Sequence, residues 1–263
     1  MNIVNLKQIT HTIKIGSDCQ YIEPNIKGDS IFYLDGKPIG FYIESIEGKL
    51  KQYLEIANKE FLGDNVPKQE MQRQTLKRDA VTDKLILHRS CKQFSTILGA
   101  IPPKPHMKRP YPSMSSVHQI KTANIFIKAM LLACKEAEQI VKKIMPEQYQ
   151  TQQDIFKKVE DKWKFGSMYT SSISNFNISA QYHRDTVNFQ NTVNIILTKR
   201  LNSKGGCLNV PDFGATIEQK DNSMLVYPAW MSVHGVTPIQ PTHEGGYRNS
   251  FIFYPLKAFK NLL

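Results

Sequence analysis

Residues 177–188 read NISAQYHRDTVN, a short strand-like run that ends in a histidine and an aspartate one residue apart. Side chains alternate across a strand with period 2, so His183 and Asp185 project to one side and Arg184 to the other. From Ser167 onward the chain is a series of short β-like runs, MYTSSIS, NTVNIILTK, GGCLNV, SMLVYP and RNSFIFYP, separated by Gly, Pro, Asn and Asp. Several short strands at that spacing predict an all-β sandwich or barrel.

Upstream the texture differs. SIFYL and IGFYIES, within residues 29–45, are rich in aromatic and β-branched residues and flank Asp35-Gly36, which predicts a hairpin. Ile46, Leu50, Leu54, Ala57 and Phe61 recur at helical spacing, and Gly63 can end that helix. Residues 64–80 are polar and basic with little period, which predicts a loop or an exposed helix. PPKPHMKRPYPSMSS (102–116) carries prolines at 102, 103, 105, 110 and 112 and reads as an extended, semi-rigid connection. A long helix follows over Thr122 to Ile144, with Phe126, Met130, Leu131, Cys134, Ala137, Val141 and Ile144 on one stripe. A second is expected from Thr151 to Trp163. The expected class is α+β, one domain over 1–263, with a mainly helical part to residue 165 buttressing a β core over 166–258.

Composition narrows the class. The chain has 263 residues, 41% hydrophobic and 22% charged, as in a globular protein, and no apolar run approaches the roughly 18 residues of a membrane span. The first 20 residues have no apolar core of a signal peptide, so a soluble, intracellular protein without a membrane partner is expected. Cys19, Cys91, Cys134 and Cys207 are scattered, which argues against a zinc ribbon or redox dithiol and for reduced thiols. Lys plus Arg number 34 against 23 Asp plus Glu, a formal charge of +11. That excess fits a polyanionic partner, though a lysine-rich solvated surface would give the same number.

The chemistry concentrates on four positions. His183 and Asp185 can grip one metal from adjacent corners, and a second histidine at another strand end completes a 2-His-1-carboxylate triad with an open face. His234, after SMLVYPAWMSV and about 50 residues past Asp185, suits that role. About 14 residues further stands Arg248, sharing a strand face with Ser250 in YRNSF. A guanidinium binds a carboxylate in bidentate fashion and the hydroxyl adds a bond, which fits the far carboxylate of 2-oxoglutarate. A zinc hydrolase also uses two histidines and a carboxylate but needs no arginine at this offset.

In that order the motifs resemble the double-stranded β-helix (jelly-roll) core of the 2-oxoglutarate/Fe(II) dioxygenases over roughly 165–258. HRDTVN (183–188) is similar to the HRDxxN motif of the TET/JBP family, which oxidises the 5-methyl group of pyrimidine bases in nucleic acid. GGCLNVPDFG (205–214) and HGVTPI (234–239) resemble a run found in phage and fungal members. The resemblance implies Fe(II) on His183, Asp185 and His234, 2-oxoglutarate on Arg248 and Ser250, and a base contact from Asn188. The chain lacks the Cys-rich zinc region of the animal enzymes and looks like the compact form.

A base in a duplex must be flipped out before its methyl group can react. Candidate phosphate clamps are Lys104, Lys108 and Arg109, with Arg73, Lys77, Arg78, Arg89 and Lys92 upstream, and Tyr111 between two prolines is a candidate stacking or wedging group. The expected activity is oxidation of 5-methylcytosine, with thymine second, in DNA rather than RNA. The rivals are a 2-oxoglutarate-dependent protein side-chain hydroxylase, which leaves Asn188 unexplained, and an inactive nucleic-acid-binding protein on the same fold, which need not keep all four site residues. Asn175, Asn177 and Tyr182 are candidates for the other carboxylate of 2-oxoglutarate, Trp230 for a pocket wall, and Arg184 for a structural ion pair.

Overall fold

The computed structural model describes residues 1–71, 75–78, 85–88, 92–104, 106 and 108–260. β1 (Asn2–Leu6) runs parallel to β2 (Ser30–Leu34), which turns at Asp35-Gly36 into β3 (Lys37–Ile43). Both turn residues take positive φ, 50° and 75°, as the tight primed hairpin turn requires. α1 (Gly48–Leu62) buries Leu50, Leu54, Ala57 and Phe61, as its spacing predicts.

The stretch expected as a loop or exposed helix holds β4 (Gln69–Glu70) and β5 (Thr75–Arg78), and β5 pairs with β6 (Leu85–His88). β7 (Phe94–Ile101) enters the main sheet, and β8 (Ser113–Met114) folds back on its end. The part before residue 165 is therefore not mainly helical: it supplies strands to both flanks of the sheet. The proline-rich segment is also not a plain extended connection, because Lys104 and Arg109 bond backbone to backbone at 2.6 and 3.2 Å around Lys108, whose φ is 56°.

α2 (Asn124–Ile144) begins after two short 3-10 turns, and its stripe is buried except at Ile144, which is half-buried, and Leu131, which is 38% exposed. α3 (Pro146–Phe156) starts five residues before the expected Thr151 and stops before Trp163. Pro146 explains the start: a proline fits the first helical position, where its missing N–H is not needed.

β9 (Ser171–Phe176), β11 (Asn194–Leu201), β15 (Ser223–Tyr227) and β18 (Tyr247–Tyr254) form the middle of a ten-stranded sheet in the order β1-β2-β3-β15-β11-β18-β9-β7-β4, with β8 beside β7. β10 (Ala180–His183), β13 (Leu208–Val210), β14 (Ala215–Ile217) and β16 (His234–Val236) form a second sheet in the order β10-β16-β13-β14. β12 (Ser203–Gly205) pairs with β17 (Ile239–Pro241) at one end. Successive strands exchange sheets, which is the jelly-roll, double-stranded β-helix arrangement.

Period-2 alternation sorts the main sheet's two faces. Phe41, Val226, Phe251 and Phe253 face the helices, where Phe61, Phe126 and Met130 meet them. Tyr42, Leu225 and Tyr227 face the second sheet, against Leu208, Val210 and Ile217. On β18 this turns Arg248 and Ser250 away from the helices and into the space between the sheets. Phe251→Ala should cost about 3–5 kcal/mol by the cavity it leaves, read as the shift of a chemical denaturation curve. Ile125→Ala, at a position 57% exposed, should stay within about 0.5 kcal/mol of the parent.

Candidate active site

β10 and β16 lie antiparallel with His183 directly opposite His234, and the two rings sit 4.3 Å apart between centroids. His183 Nδ1 bonds the carbonyl of Gln181 at 2.7 Å, and His234 Nδ1 bonds that of Ser232 at 3.1 Å. A carbonyl only accepts, so each Nδ1 carries a proton, and Nε2 is the atom that each imidazole would offer a metal. Burial, then the charge of His183, lowers the pKa of His234, which favours the neutral, ligating form.

Asp185 lies just beyond β10, not on it as the period-2 reading expects; its N–H bonds the Ala229 carbonyl at 3.0 Å. Its Oδ1 is 3.4 Å from His183 Nε2, and ligand atoms of His183, Asp185 and His234 all fall within 4.8 Å of one another. Burial pushes the Asp185 carboxyl up, but the bond with His183 and the charge of His234 outweigh it, and the net pKa is lowered. Oδ2 accepts from Asn194 Nδ2 at 3.3 Å and from Asn188 Nδ2 at 3.4 Å, and Asn188 also donates to Asn194 Oδ1 at 3.0 Å. Two carboxamides thus hold one oxygen and leave the other toward the histidines. Asn188, expected at a base, is 3% exposed and has its amide committed to this support.

Arg248 and Ser250 are each 2% exposed between the sheets. Arg248 Nη2 donates to Gln219 Oε1 at 2.5 Å, while its Nε has no partner among the described residues. Burial and the neighbouring Arg200 guanidinium lower its pKa to about 10. Among the described residues no carboxylate pairs with this cation, and a carboxylate from a ligand fits it. Gly206, at φ 67°, makes the space: a Cβ there would stand 2.3 Å from Arg248 Cδ.

Asn177 does not face this space freely; it bonds the Arg248 backbone at 2.8 and 2.9 Å. Tyr182 points away from His183 and donates to Asn209 at 2.8 Å. Asn175 pairs across from Ser250. Arg184 reaches Asp212 at 3.6 Å, the structural ion pair expected, and Trp230 donates to the Thr192 carbonyl. Cys19, Cys134 and Cys207 are free and buried; Cys91 lies outside the described residues.

A cleft of about 1040 Å³ reaches Val187, two residues past Asp185, and none of His183, Asp185, His234 or Arg248 is on its lining. Phe189 N bonds Pro255 O and Lys257 N bonds Val187 O, so residues 186–189, just past Asp185, run beside residues 254–257. Val187, Tyr254 and Leu256 line the cleft. Burial raises the Tyr254 pKa, with a further rise from the charge of Asp185, so it stays a neutral phenol. Lys68, Lys104, Arg109 and Lys257 are on the lining, and no carboxylate is among the described residues there. Lys108 is exposed, Tyr111 is 77% exposed on the same loop, and Lys92 is exposed near Asn177. Lys77 and Arg78 are on β5, and Arg73 and Arg89 lie outside the described residues. Sequence reading missed Tyr254, Asn194 and Gln219; for Tyr254 the available signal was the final aromatic of RNSFIFYP.

A family model described as the oxygenase domain of the 2OGFeDO superfamily, Tet_JBP, matches residues 104–257. The chain is similar to the solved structure of NgTET1 in complex with 5mC DNA, at 13% identity and a TM-score of 0.61, over 99% of this chain and 84% of that one. It is also similar to OsALKBH1, at 11% identity and a TM-score of 0.41, over 89% and 100%. No curated protein matches the sequence. No helix among the described residues is long and apolar enough to cross a membrane. Asn194→Ala should weaken Fe(II) or Co(II) binding about 10- to 100-fold, measured by titration of the metal-free protein.

Proposed function

Because the chain belongs to the TET/JBP oxygenase-domain family of the 2-oxoglutarate/Fe(II) dioxygenases, and is a dioxygenase, we propose that it oxidises the 5-methyl group of a pyrimidine base in DNA. His183, Asp185 and His234 hold the iron, and Arg248 with Ser250 holds the far carboxylate of 2-oxoglutarate. The donor set fits Fe(II): two neutral imidazoles and one carboxylate on a common face. The unsatisfied guanidinium fits a dicarboxylic cosubstrate. When bound, the pair would activate dioxygen, one oxygen atom entering a C–H bond and the other the succinate formed as 2-oxoglutarate loses carbon dioxide.

The observation that carries the substrate class is the cleft. It is lined by Val187, two residues past Asp185, offers four cations and no carboxylate among its described lining, and has room for an extruded nucleotide. Tyr254 gives a flipped base a stacking face, and Val187 and Leu256 close the apolar sides. Lys104, Lys108 and Arg109 meet the phosphates at the rim, with Tyr111 at the loop tip. Asn188 contributes by holding Asp185. NgTET1 was solved with 5mC DNA, which supports 5-methylcytosine as the first substrate and keeps thymine second.

Incubation with iron, 2-oxoglutarate and methylated duplex DNA should convert 5-methylcytosine to its hydroxymethyl form, read by mass spectrometry of nucleosides. His183→Ala or a chelator should abolish it. Unchanged 5-methylcytosine and thymine, with succinate formed on a protein or RNA instead, would overturn the substrate. Replacing Lys104 and Arg109 together by alanine should flatten the dependence of log DNA affinity on log salt by about 2.

A further inference from the structure

Gln219 lies in the loop between β14 and β15 and is 1% exposed. Its Oε1 accepts from Arg248 Nη2 at 2.5 Å and from Thr198 Oγ1 at 3.0 Å. A guanidinium only donates, so that end of the amide is the oxygen and the other end is the NH₂ group. Gln219 Nε2 is buried with no partner among the described residues, and the same holds for Arg248 Nε and Ser223 Oγ. These groups lie near one another: Thr198 is the register partner of Ser223 on one side and of Ser250 on the other. The neighbouring Arg200 is already spent on the carbonyls of Gln219, Ser203 and Gly205. An unmade hydrogen bond on a buried donor costs about 1–3 kcal/mol, so unmet donors gathered at one guanidinium describe a place for an acceptor.

We propose that Gln219 is a cosubstrate-binding residue, donating from Nε2 to the far carboxylate of 2-oxoglutarate beside Arg248 and Ser250, and selecting a dicarboxylic keto acid over a monocarboxylic one. The inference rests on the reading of Arg248 as the cosubstrate arginine. Gln219 has two jobs in it. Its oxygen fixes the guanidinium plane, and its nitrogen completes the ring of donors. Gln219→Glu turns the clasp against the ligand, because a carboxylate at that position satisfies Arg248 internally and repels the incoming anion.

The test compares 2-oxoglutarate with 2-oxobutyrate, which lacks the far carboxylate, by anaerobic calorimetry on the Fe(II)-loaded full chain. Gln219→Met should weaken 2-oxoglutarate about 10- to 100-fold and leave 2-oxobutyrate unchanged. Gln219→Glu should lose at least as much while the metal-free protein melts no lower than the parent. Wild-type protein that binds both keto acids alike overturns the arginine-site reading and this inference with it. A wild-type preference that survives in both variants overturns the role of Gln219 alone. Equal loss of both keto acids in both variants places the defect at the iron and also overturns it.

Discussion

One antiparallel pairing organises the chemistry: β10 against β16 brings His183 opposite His234. The two strands are short and far apart in sequence, so neither builds the site alone. Each imidazole is oriented by the carbonyl two residues before it in the chain, a local bond that any extended strand end can make. The expensive part is elsewhere. A register slip of one residue would turn both rings to the opposite face, and the jelly roll prevents this by fixing β16 against β13 on its far edge. The fold is in this sense a device for holding one register.

Around that pairing the interior is unusually polar. Arg248, Gln219, Thr198, Ser223 and Ser250 are all buried, as are Asn188 and Asn194 on the metal side. Two distinct arrangements result. The asparagines bond each other and hold a carboxylate still; the groups at Arg248 are left short of acceptors. A satisfied network rigidifies its surroundings, whereas an unsatisfied one stores a binding preference at some cost in stability. The sheet face toward the helices, packed with Phe61, Phe126, Phe251 and Phe253, supplies the apolar burial that offsets it.

The legible parts of the sequence were those with a short period. The hairpin at Asp35-Gly36, α1 and the core strands could be read because their side chains repeat at 2 or 3.6 residues. The triad and Arg248 could be read because they stand at strand ends in a fixed order. β7 was missed because FSTILGAI mixes hydroxyls with apolar residues and is buried on both faces, which erases alternation. Leu131 misled because it extends the apolar stripe of α2 past what the sheet covers. The proline-rich loop closes on itself through backbone bonds at Lys104 and Arg109, which no composition records. Gln219 and Asn194 carry no motif; their meaning comes only from which strands lie beside them.

Gly206 has no functional group, yet a single methyl there would meet Arg248 before any ligand did. A vulnerable position beside the proposed cosubstrate site is therefore chemically blank. A survey that judged natural variants by loss of charge or of a metal ligand would pass over a change at this glycine. Such a change would leave the His-Asp-His cluster intact while crowding the guanidinium proposed to take the dicarboxylate. Retention of the triad is thus weaker testimony to activity than retention of the triad together with the glycine that makes room at Arg248.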